Sequence, residues 1–450
     1  MKRITIIGGG ASGTLLAANL LRCKPSETVE VNMVEKRSAI GRGVAYSTSD
    51  DIHLLNVPAG RMGAFAENVG YFHEWLIANG YEFDANSFVP RNIFGEYLRD
   101  TLHRSETNKE KNIRLNLFED DAVDVIQDGS KLQVVLASGE HIYSERLVLA
   151  FGNFLPPQPS VRDLGFTAHS KYFRSPWQEN VFTSIDRDDT VLIIGTGLSM
   201  VDVVLKLDRL EHRGRIIAIS TRGLLPAVHK LGFTYKSFAD ELRPMARVTD
   251  MLKAVRRHIK KAEENGSDWR GVIDSLRPVT QELWLNLPVA EKRYFMQHLS
   301  RYWNVARHRM PAEAAAVLDR LCNSGKLEVL KGRLLSITSG VQFDIEYRSQ
   351  GEIKRIEANA IINCIGSESN FERLDSALVR SLYTRGLIRN DALSFGIDAL
   401  PNGRVVGQNG EASDMIHTLG TALKGTLWET TAIPEIRTQA RDLAKILLAD

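Results

Sequence analysis

The hydrophobic and polar positions of the amino-terminal segment change period within about 35 residues. The text KRITIIGGGASGTLLAANLLR begins with a short β-branched run, continues through a cluster of glycines, and then places apolar residues at helical spacing. A second apolar run, VEVNMVEK, follows and contains Glu35. This order predicts a β-α-β unit.

The same order returns in TVLIIGTGLSMVDVVLKL and GRIIAISTRG, after the proline-rich break FLPPQPS. Alternating positions before the break predict a short antiparallel meander, and the stretch from about 235 to 322 has helical periodicity. We therefore expect an α/β fold with two dinucleotide-binding, Rossmann-like domains, the second inserted in the first and carrying a helical subdomain. The expected limits are 1–160 and 356–450 for the first domain and 161–355 for the second, with the helical insertion at about 235–322.

The stretch from Gly41 to about Phe94 lacks a clear period and is too long for an ordinary connection. Such a segment usually carries a binding function. We expect it to lie over a cofactor.

Composition narrows the function classes. The 450 residues carry 57 basic and 55 acidic side chains, a formal net charge of +2, so no global field favours nucleic acid or an anionic membrane. The three cysteines form no C-x-x-C pair, which argues against a disulfide scaffold, a redox-active dithiol or a zinc site, and we predict no metal. Without a membrane-spanning apolar run or a signal peptide, a soluble cytoplasmic protein is expected.

The first glycine cluster has the spacing of a dinucleotide-binding turn. Gly8 would form the tight turn, Gly10 would let the backbone approach a pyrophosphate, and Gly13 would let helix and strand pack closely. Ala11 and Ser12 open the helix whose amino terminus would face the phosphates. Glu35, about twenty residues on, would accept hydrogen bonds from ribose hydroxyls. The alternative is a glycine turn that only permits a tight connection.

The second cluster, Gly195, Gly197, Leu198 and Ser199, has Met200 where a third glycine would stand. Its helix is therefore expected slightly further from its strand. After the next strand comes Arg222 with no carboxylate, a setting that favours the 2′-phosphate of NADPH, although NADH stays open. Arg222 could instead stack near an adenine or be a solvated loop charge.

Several segments together resemble a family of FAD/NAD(P)-binding proteins, over nearly the whole chain. They are the two glycine motifs and GRGVAYS, HLLNVPAGRMGAF, VPRNIFGEYL, GTGLSMVDVV, STRGLLPAVH, RYWNVARHRM and LWETTAIPEIR. That family is related in fold to flavin-dependent N-hydroxylating monooxygenases, and it includes a bacterial FAD-dependent urate hydroxylase and proteins similar to aspartate N-monooxygenases.

The resemblance implies an FAD site and an order of chemistry. By position it assigns FAD to Gly8, Gly10, Gly13 and Glu35, the adenine contact to Val123, and the flanks of the flavin to Gly152 and Gly420. NAD(P)H would reduce the flavin, and a C4a-hydroperoxide would pass oxygen to a small polar nitrogen-containing substrate, urate-like or an amino acid or amine. Two positions depart from the patterns of related flavoproteins. Asp163 stands where a flavin-monooxygenase fingerprint has an aromatic residue, and Thr421 follows Gly420 where many two-dinucleotide flavoproteins have an acidic residue.

Catalysis would need a dry pocket, and the segment from Gly41 to Phe65 is the expected wall. In it, Asn56 would bond the flavin ring or peroxide, Arg61 would clamp an anion, and His53 is a further polar candidate. The alternatives are that His53 and Asn56 cap the loop and that Arg61 pairs with an acid. Arg301, Arg307, His308 and Arg309 in RYWNVARHRM favour a solvated helix face or intramolecular ion pairs over a site for an acidic substrate or phosphate.

Two other functions stay open from the sequence. One is an NAD(P)H:acceptor oxidoreductase that inserts no oxygen, and the other is a non-catalytic flavin-binding regulatory protein. The expected partners are a small-molecule substrate and molecular oxygen. The oligomeric state and the substrate are left undetermined, because likeness of fold does not identify a substrate.

Overall fold

A computed structural model describes residues 1–36 and 40–449. The strands within this part of the chain, in order, are β1 Lys2–Ile7, β2 Val29–Val34, β3 Ile113–Phe118, β4 Ala122–Asp128, β5 Lys131–Leu136, β6 His141–Ser144, β7 Arg146–Leu149, β8 Tyr172–Phe173, β9 Val191–Ile194, β10 Ile216–Ser220, β11 Leu327–Lys331, β12 Arg333–Ser339, β13 Phe343–Ser349, β14 Glu352–Ala358, β15 Ala360–Asn363, β16 Arg404–Val406 and β17 Ala412–Thr418.

The α-helices of the same described ranges, in order, are α1 Ala11–Leu21, α2 Gly43–Tyr46, α3 Tyr71–Ala78, α4 Arg91–Thr107, α5 Leu198–Arg209, α6 Ala239–Leu242, α7 Val248–Glu264, α8 Trp269–Ser275, α9 Thr280–Asn286, α10 Val289–His298, α11 Ser300–Arg307, α12 Ala312–Asn323, α13 Ala377–Thr384, α14 Lys424–Leu427 and α15 Ile433–Leu448. The expectation of a loop as far as Phe94 was wrong for α3. This helix buries Phe72, Trp75 and Leu76, and that packing supplies the stability that a short helix lacks by itself.

The first sheet has the strand order β16-β17-β7-β1-β2-β3 and is parallel except for β16. Its faces alternate along β1. Ile4 and Ile6 pack under α1, α4 and α15, whereas Ile7 faces the β4-β5-β6 meander and α13. Because both faces are covered, the central strand β1 is buried from Ile4 to Ile7.

The second sheet has the order β11-β10-β9-β15-β8, and all of its pairings are parallel. Ile193 packs among buried side chains of α5 and α12, and Leu192 packs against the β12-β13-β14 sheet. The strands of the first sheet come from the chain before β8 and after β15, so the second sheet is inserted between them in the sequence. The α/β architecture with an inserted second unit is therefore confirmed. Strand β15 lies in the second sheet, so the chain leaves it later than residue 356. The domain limits otherwise stay predictions.

Helices α6 to α11 form a block between β10 and β11, which is the helical subdomain expected near 235–322. It has its own apolar core around Leu242, Val272 and Leu283. A second apolar cluster joins Trp284 of this block to Trp428 near the carboxyl terminus. The block therefore packs against the part of the chain that returns to the first sheet. None of the described helices is both long enough and apolar enough to cross a membrane.

Candidate active site

The first glycine turn joins β1 to α1 with almost no space between them. Gly8 has φ +107°, and a Cβ there would lie 2.8 Å from the carbonyl oxygen of Ala150. A Cβ on Gly13 would lie 1.9 Å from the carbonyl oxygen of Gly8, far inside van der Waals contact. The turn therefore requires glycine at both positions. Gly10 precedes α1, so the unpaired N–H groups of the first helical turn face outward from this edge of the sheet.

Glu35 follows β2 and lies at the same edge. Its Oε2 accepts a hydrogen bond from the backbone N–H of Gly9 at 2.8 Å, and its own N–H donates to Phe118 O at 3.0 Å. These bonds hold the carboxylate beside the glycine turn. This is the position from which an acidic side chain reaches the ribose of a bound dinucleotide.

The carboxyl-terminal part of the chain closes onto this turn. Gly420, with φ +72°, faces Ser12, and a Cβ on Gly420 would lie 2.5 Å from Ser12 Oγ. A Cβ on Gly152 would lie 2.9 Å from Thr421 Oγ1. Because β1, β7 and β17 are parallel neighbours, the segments that follow them meet at one sheet edge. The structure thus brings together the three segments expected around FAD.

Val123 lies in β4, which begins four residues after the end of β3. The register of β4 against β5 shifts between Ala122 and Asp124, which leaves Val123 as the extra residue of a β-bulge. A bulge redirects a side chain relative to the regular pleat. Its assignment to the adenine stays a prediction.

The second glycine turn joins β9 to α5. Gly195 has φ +114°, and a Cβ there would lie 2.5 Å from the carbonyl oxygen of Cys364. Gly197 differs, because a Cβ on it would meet nothing within 4 Å. The backbone at Gly197 and at the start of α5, Leu198 and Ser199, is therefore open to approach. Met200 is fully buried, so it fills the space that a third glycine would leave empty.

The residues after β10 leave Arg222 exposed. The side chain of Ser220 bonds within the loop. Its hydroxyl lies 2.9 Å from Thr196 Oγ1 and accepts a hydrogen bond from the N–H of Gly223 at 2.9 Å. Arg222 forms no ion pair with any residue that the structure describes. This geometry fits both roles considered for Arg222, a solvated loop charge and a contact to the 2′-phosphate of NADPH.

In the expected wall, residues 41–65, His53 is buried and anchored. Its Nδ1 lies 2.7 Å from Thr48 Oγ1, and its ring meets Trp177 edge-on with the centroids 5.7 Å apart. Burial, the main cause, lowers the pKa of His53, so the ring is neutral at pH 7. Its Nε2 is buried and finds no hydrogen-bond partner within the described ranges. The wall also touches the first turn, since Gly41 N–H donates to Gly9 O at 2.7 Å.

Asn56 and Arg61 keep their polar ends available. The carbonyl oxygen of Asn56 accepts a hydrogen bond from His229 Nε2 at 2.9 Å, whereas its side-chain amide makes no hydrogen bond to the part of the chain described. Arg61 is exposed, and its hydrogen bonds within the described ranges come from its backbone: its N–H donates to Pro58 O at 2.9 Å, and its carbonyl accepts from Arg437 Nη1 at 3.1 Å. Neither side chain is used as a loop cap or in an ion pair among the residues described.

The stretch 301–310 binds the carboxyl-terminal segment. Trp303 Nε1 donates to Glu429 at 2.9 Å, and Arg307 pairs with the other oxygen of that carboxylate at 3.0 Å. Arg309 pairs with Asp274 at 2.8 Å. The interpretation as intramolecular ion pairs is confirmed. These contacts fix the helical block next to Gly420.

The sequence reasoning missed His229 and Lys424 at this junction, and it named His308 only as part of a charged stretch. Burial lowers the pKa of His229 to about 4 and that of His308 to about 3, with nearby cations as a smaller cause. Both rings are therefore neutral at pH 7. Burial also lowers the pKa of Lys424, which follows the Gly420 turn and forms no ion pair with a described residue. The two histidines stand within motifs quoted above, but no spacing singles out Lys424.

Comparisons with known proteins agree with this architecture. A family model described as FAD-NAD(P)-binding matches residues 5–154. A sequence search of curated proteins finds no match.

Among solved structures, the chain is similar to the ornithine N-hydroxylase of Kutzneria sp. 744, with 13% identity, a TM-score of 0.66, and coverage of 99% of this chain and 98% of that one. The L-lysine 6-monooxygenase of Pseudomonas syringae gives 15% identity, a TM-score of 0.65 and 99% coverage of both chains. The bacillithiol disulfide reductase of Bacillus cereus gives 15% identity, a TM-score of 0.57, and coverage of 99% and 98%. At these identities the likeness establishes a shared two-dinucleotide fold.

The two glycine turns predict opposite responses to one added methyl group. Gly13→Ala places a Cβ against the Gly8 carbonyl, so we expect the free energy of unfolding to fall by more than about 2 kcal/mol. Gly197→Ala meets open space at an allowed φ of −85°, so a change under about 1 kcal/mol is expected. Urea unfolding followed by circular dichroism measures both. Equal destabilisation of the two variants would contradict the described packing.

Proposed function

We propose that this protein is an FAD-dependent, NAD(P)H-dependent monooxygenase that hydroxylates a small polar nitrogen-containing compound such as an amino acid or amine. The observation that carries the proposal is the pairing of two glycine turns on two parallel sheets, with a polar wall beside the first. Similarity to the ornithine and lysine hydroxylases over nearly all of both chains supports the reaction class.

The residues present fit FAD at the first turn. The open amino end of α1, from Gly10 through Ala11 and Ser12, would hold the pyrophosphate, and Glu35 the ribose. Two buried donors without partners among the described residues lie beside this edge, Arg42 Nε and Gln439 Nε2. Gln439 Oε1 meanwhile accepts the N–H of Gly420 at 2.8 Å. Unpaired buried donors are costly, and a polar ligand at this edge would satisfy them.

Further contacts would come from Gly8, Gly13, Val123, Gly152 and Gly420. Bound FAD supplies electron transfer from the nicotinamide and the activation of oxygen. The open backbone at Gly197, Leu198 and Ser199, with the turn at Gly195, would hold the nucleotide phosphates. Arg222 would meet a 2′-phosphate, which favours NADPH over NADH.

The wall would act through position and charge. Neutral His53 adds no charge beside the site, and the free Asn56 amide would donate to the flavin ring or the reacting oxygen. Arg61 would bind an anionic group of the substrate. Because His229 donates a hydrogen bond to the backbone carbonyl of Asn56, the side-chain amide stands on a fixed segment.

Thiol-disulfide chemistry is the less favoured reaction for this chain, despite its likeness to a bacillithiol disulfide reductase. Burial, the main cause in each case, raises the pKa of Cys23, Cys322 and Cys364 above the ordinary thiol value. A raised pKa lowers the fraction of reactive thiolate at pH 7.

The deciding experiment follows the absorbance of the purified protein after anaerobic mixing with NADPH or NADH. Oxygen is then admitted with ornithine, lysine, aspartate or urate. We expect bleaching of a flavin spectrum by the nucleotide, and with one of the substrates a hydroxylated product in near-equal amount to the nucleotide consumed. Mass spectrometry identifies the product, and a peroxidase assay measures hydrogen peroxide.

Two results would overturn the proposal. Fast bleaching followed only by hydrogen peroxide, with every substrate, would favour an oxidoreductase that inserts no oxygen. Bound FAD that neither nucleotide bleaches would favour a regulatory flavin-binding protein.

Arg222 provides a test of nucleotide preference. If it meets the 2′-phosphate, Arg222→Ser should raise the KM for NADPH by at least about tenfold, since a charge-assisted hydrogen bond contributes roughly 1.5–3 kcal/mol. The KM for NADH should stay within about twofold. Arg213→Ser is the matched control, because Arg213 is an exposed arginine of the same domain paired with Asp188. Equal losses with both nucleotides would assign Arg222 another role.

Asn56 provides a test of the wall. Asn56→Ala should leave the rate of anaerobic flavin reduction within about twofold of the original protein, because the amide is proposed to act after reduction. The share of nucleotide oxidation that ends as hydrogen peroxide should rise several-fold. Asn265→Ala, which removes an exposed amide bonded only to Lys261 O, controls for the loss of an asparagine. An unchanged peroxide share would remove Asn56 from the reacting site.

A further inference from the structure

Arg91 and Asp202, two residues to which the proposed function gives no role, meet between the two domains. Arg91, the first residue of α4, faces Asp202 of α5. Its Nη1 lies 2.8 Å from Asp202 Oδ2 and its Nη2 lies 3.2 Å from Oδ1, the fork geometry in which guanidinium and carboxylate bind most strongly. Asp202 is only 5% exposed. Arg91 supplies the only ion-pair partner of this buried carboxylate among the residues described.

A second ion pair lies one helical turn further along α5. Lys206 Nζ contacts Asp50 Oδ1 at 2.5 Å, and both side chains are partly buried. Both positive and negative charges therefore come from each side: Arg91 and Asp50 from the first domain, Asp202 and Lys206 from the second. Two such contacts at successive turns oppose rotation of α5 as well as its separation from the wall.

Arg91 is itself held by the wall of the proposed site. Its Nε donates to Leu54 O at 3.0 Å, and its backbone N–H donates to His53 O at 2.9 Å. The segment that carries His53 and Asn56 is thus bonded to the same residue that grips α5. The position of the wall and the position of α5 are not independent.

A buried ion pair is a poor source of net stability, because removing both charges from water costs about as much as their attraction returns. It does penalise every arrangement in which the charges separate while still buried. The other carboxylate of α5 in an ion pair, Asp208, contrasts with this: its partner, Arg320 of α12, belongs to the same domain and is 58% exposed.

We propose that Arg91 and Asp202 are positioning residues that set the relative orientation of the two domains, so that a nicotinamide held at the second glycine turn reaches the flavin. Asp202 is four residues beyond Leu198, one turn from the open start of α5. A tilt of the helix at this contact would move the second turn directly. The inference rests on the proposed function only for its nucleotide, since the contacts themselves are independent of the reaction.

The test uses Asp202→Asn in the FAD-loaded protein, with Asp208→Asn as the control on the same helix. We expect Asp202→Asn to slow anaerobic flavin reduction by saturating NADPH at least about tenfold, because hydride transfer depends steeply on alignment. The dissociation constant of NADPH and the FAD content should stay within about threefold. Hydrogen–deuterium exchange should rise in residues 48–56 and 198–206 together. Asp202→Glu, which keeps the charge, should recover most of the rate.

Each other outcome overturns the positioning role. Reduction of Asp202→Asn at the original rate, with unchanged exchange, would show that the pair aligns nothing. Loss of FAD or of cooperative unfolding in both Asp202→Asn and Asp202→Glu would assign the pair to folding. Equal slowing in Asp208→Asn would show a general effect of charge on α5. If NADPH and NADH fail to reduce the original protein, the proposed function fails, while the exchange measurement still decides whether the pair joins the domains.

Discussion

The contact on which the first domain depends is between α1 and the carbonyl oxygen of Gly8, where a single methyl group on Gly13 would fall 1.9 Å from that oxygen. This approach fixes where α1 begins and leaves its first N–H groups free at the sheet edge. Parallel neighbours then bring Gly152 and Gly420 to the same edge. Gly420 in turn leaves no room for a side chain beside Ser12. The close approach of Gly13 to Gly8, together with the parallel strand order, thus sets the geometry of the sheet edge at which FAD is expected.

The second domain meets the same problem with different packing. Gly195 still fits against the carbonyl oxygen of Cys364, but Met200 occupies the helix position that Gly13 holds in the first domain, and it is fully buried. The turn therefore stays tight at its start while a large side chain joins the core under α5. At Gly197 the backbone is left open. The two turns differ in packing and keep the same path from strand to helix.

Charge determines how the parts meet. The carboxylate of Glu429 accepts a hydrogen bond from Trp303 and forms an ion pair with Arg307, both of the helical block. Glu435 forms an ion pair with Arg277 of the same block, at 2.8 Å. These carboxylates lie just after the Gly420 turn, so the block is bound to the segment that closes the first domain. Nearby histidines are neutral, because burial and neighbouring cations both oppose their protonation. The helical block is thus held to the carboxyl-terminal segment by ion pairs as well as by the apolar cluster around Trp284 and Trp428.

Local chemistry explains which features could be predicted from the amino-acid text. The glycine turns depend on positive φ values and on close approach within a few residues, and strands β9 and β10 of the second sheet show their burial in short apolar runs. The helical block followed from periodicity in the same way. Helix α3 did not, because its stability comes from aromatic packing against Phe94 and Tyr97 of α4, which the period of α3 itself does not show.

Hydrogen-bond and ion-pair partners that are far apart in the sequence could be identified only from the tertiary structure. Arg91 and Asp202 are 111 residues apart, Asn56 and His229 are 173 apart, and Trp303 and Glu429 are 126 apart. Hydrophobic period reveals which face of an element is buried, but it carries no information about which polar group will face it across the core. Such pairs form because burial makes an unpaired charge or donor costly, and only the tertiary structure determines which partner is within reach.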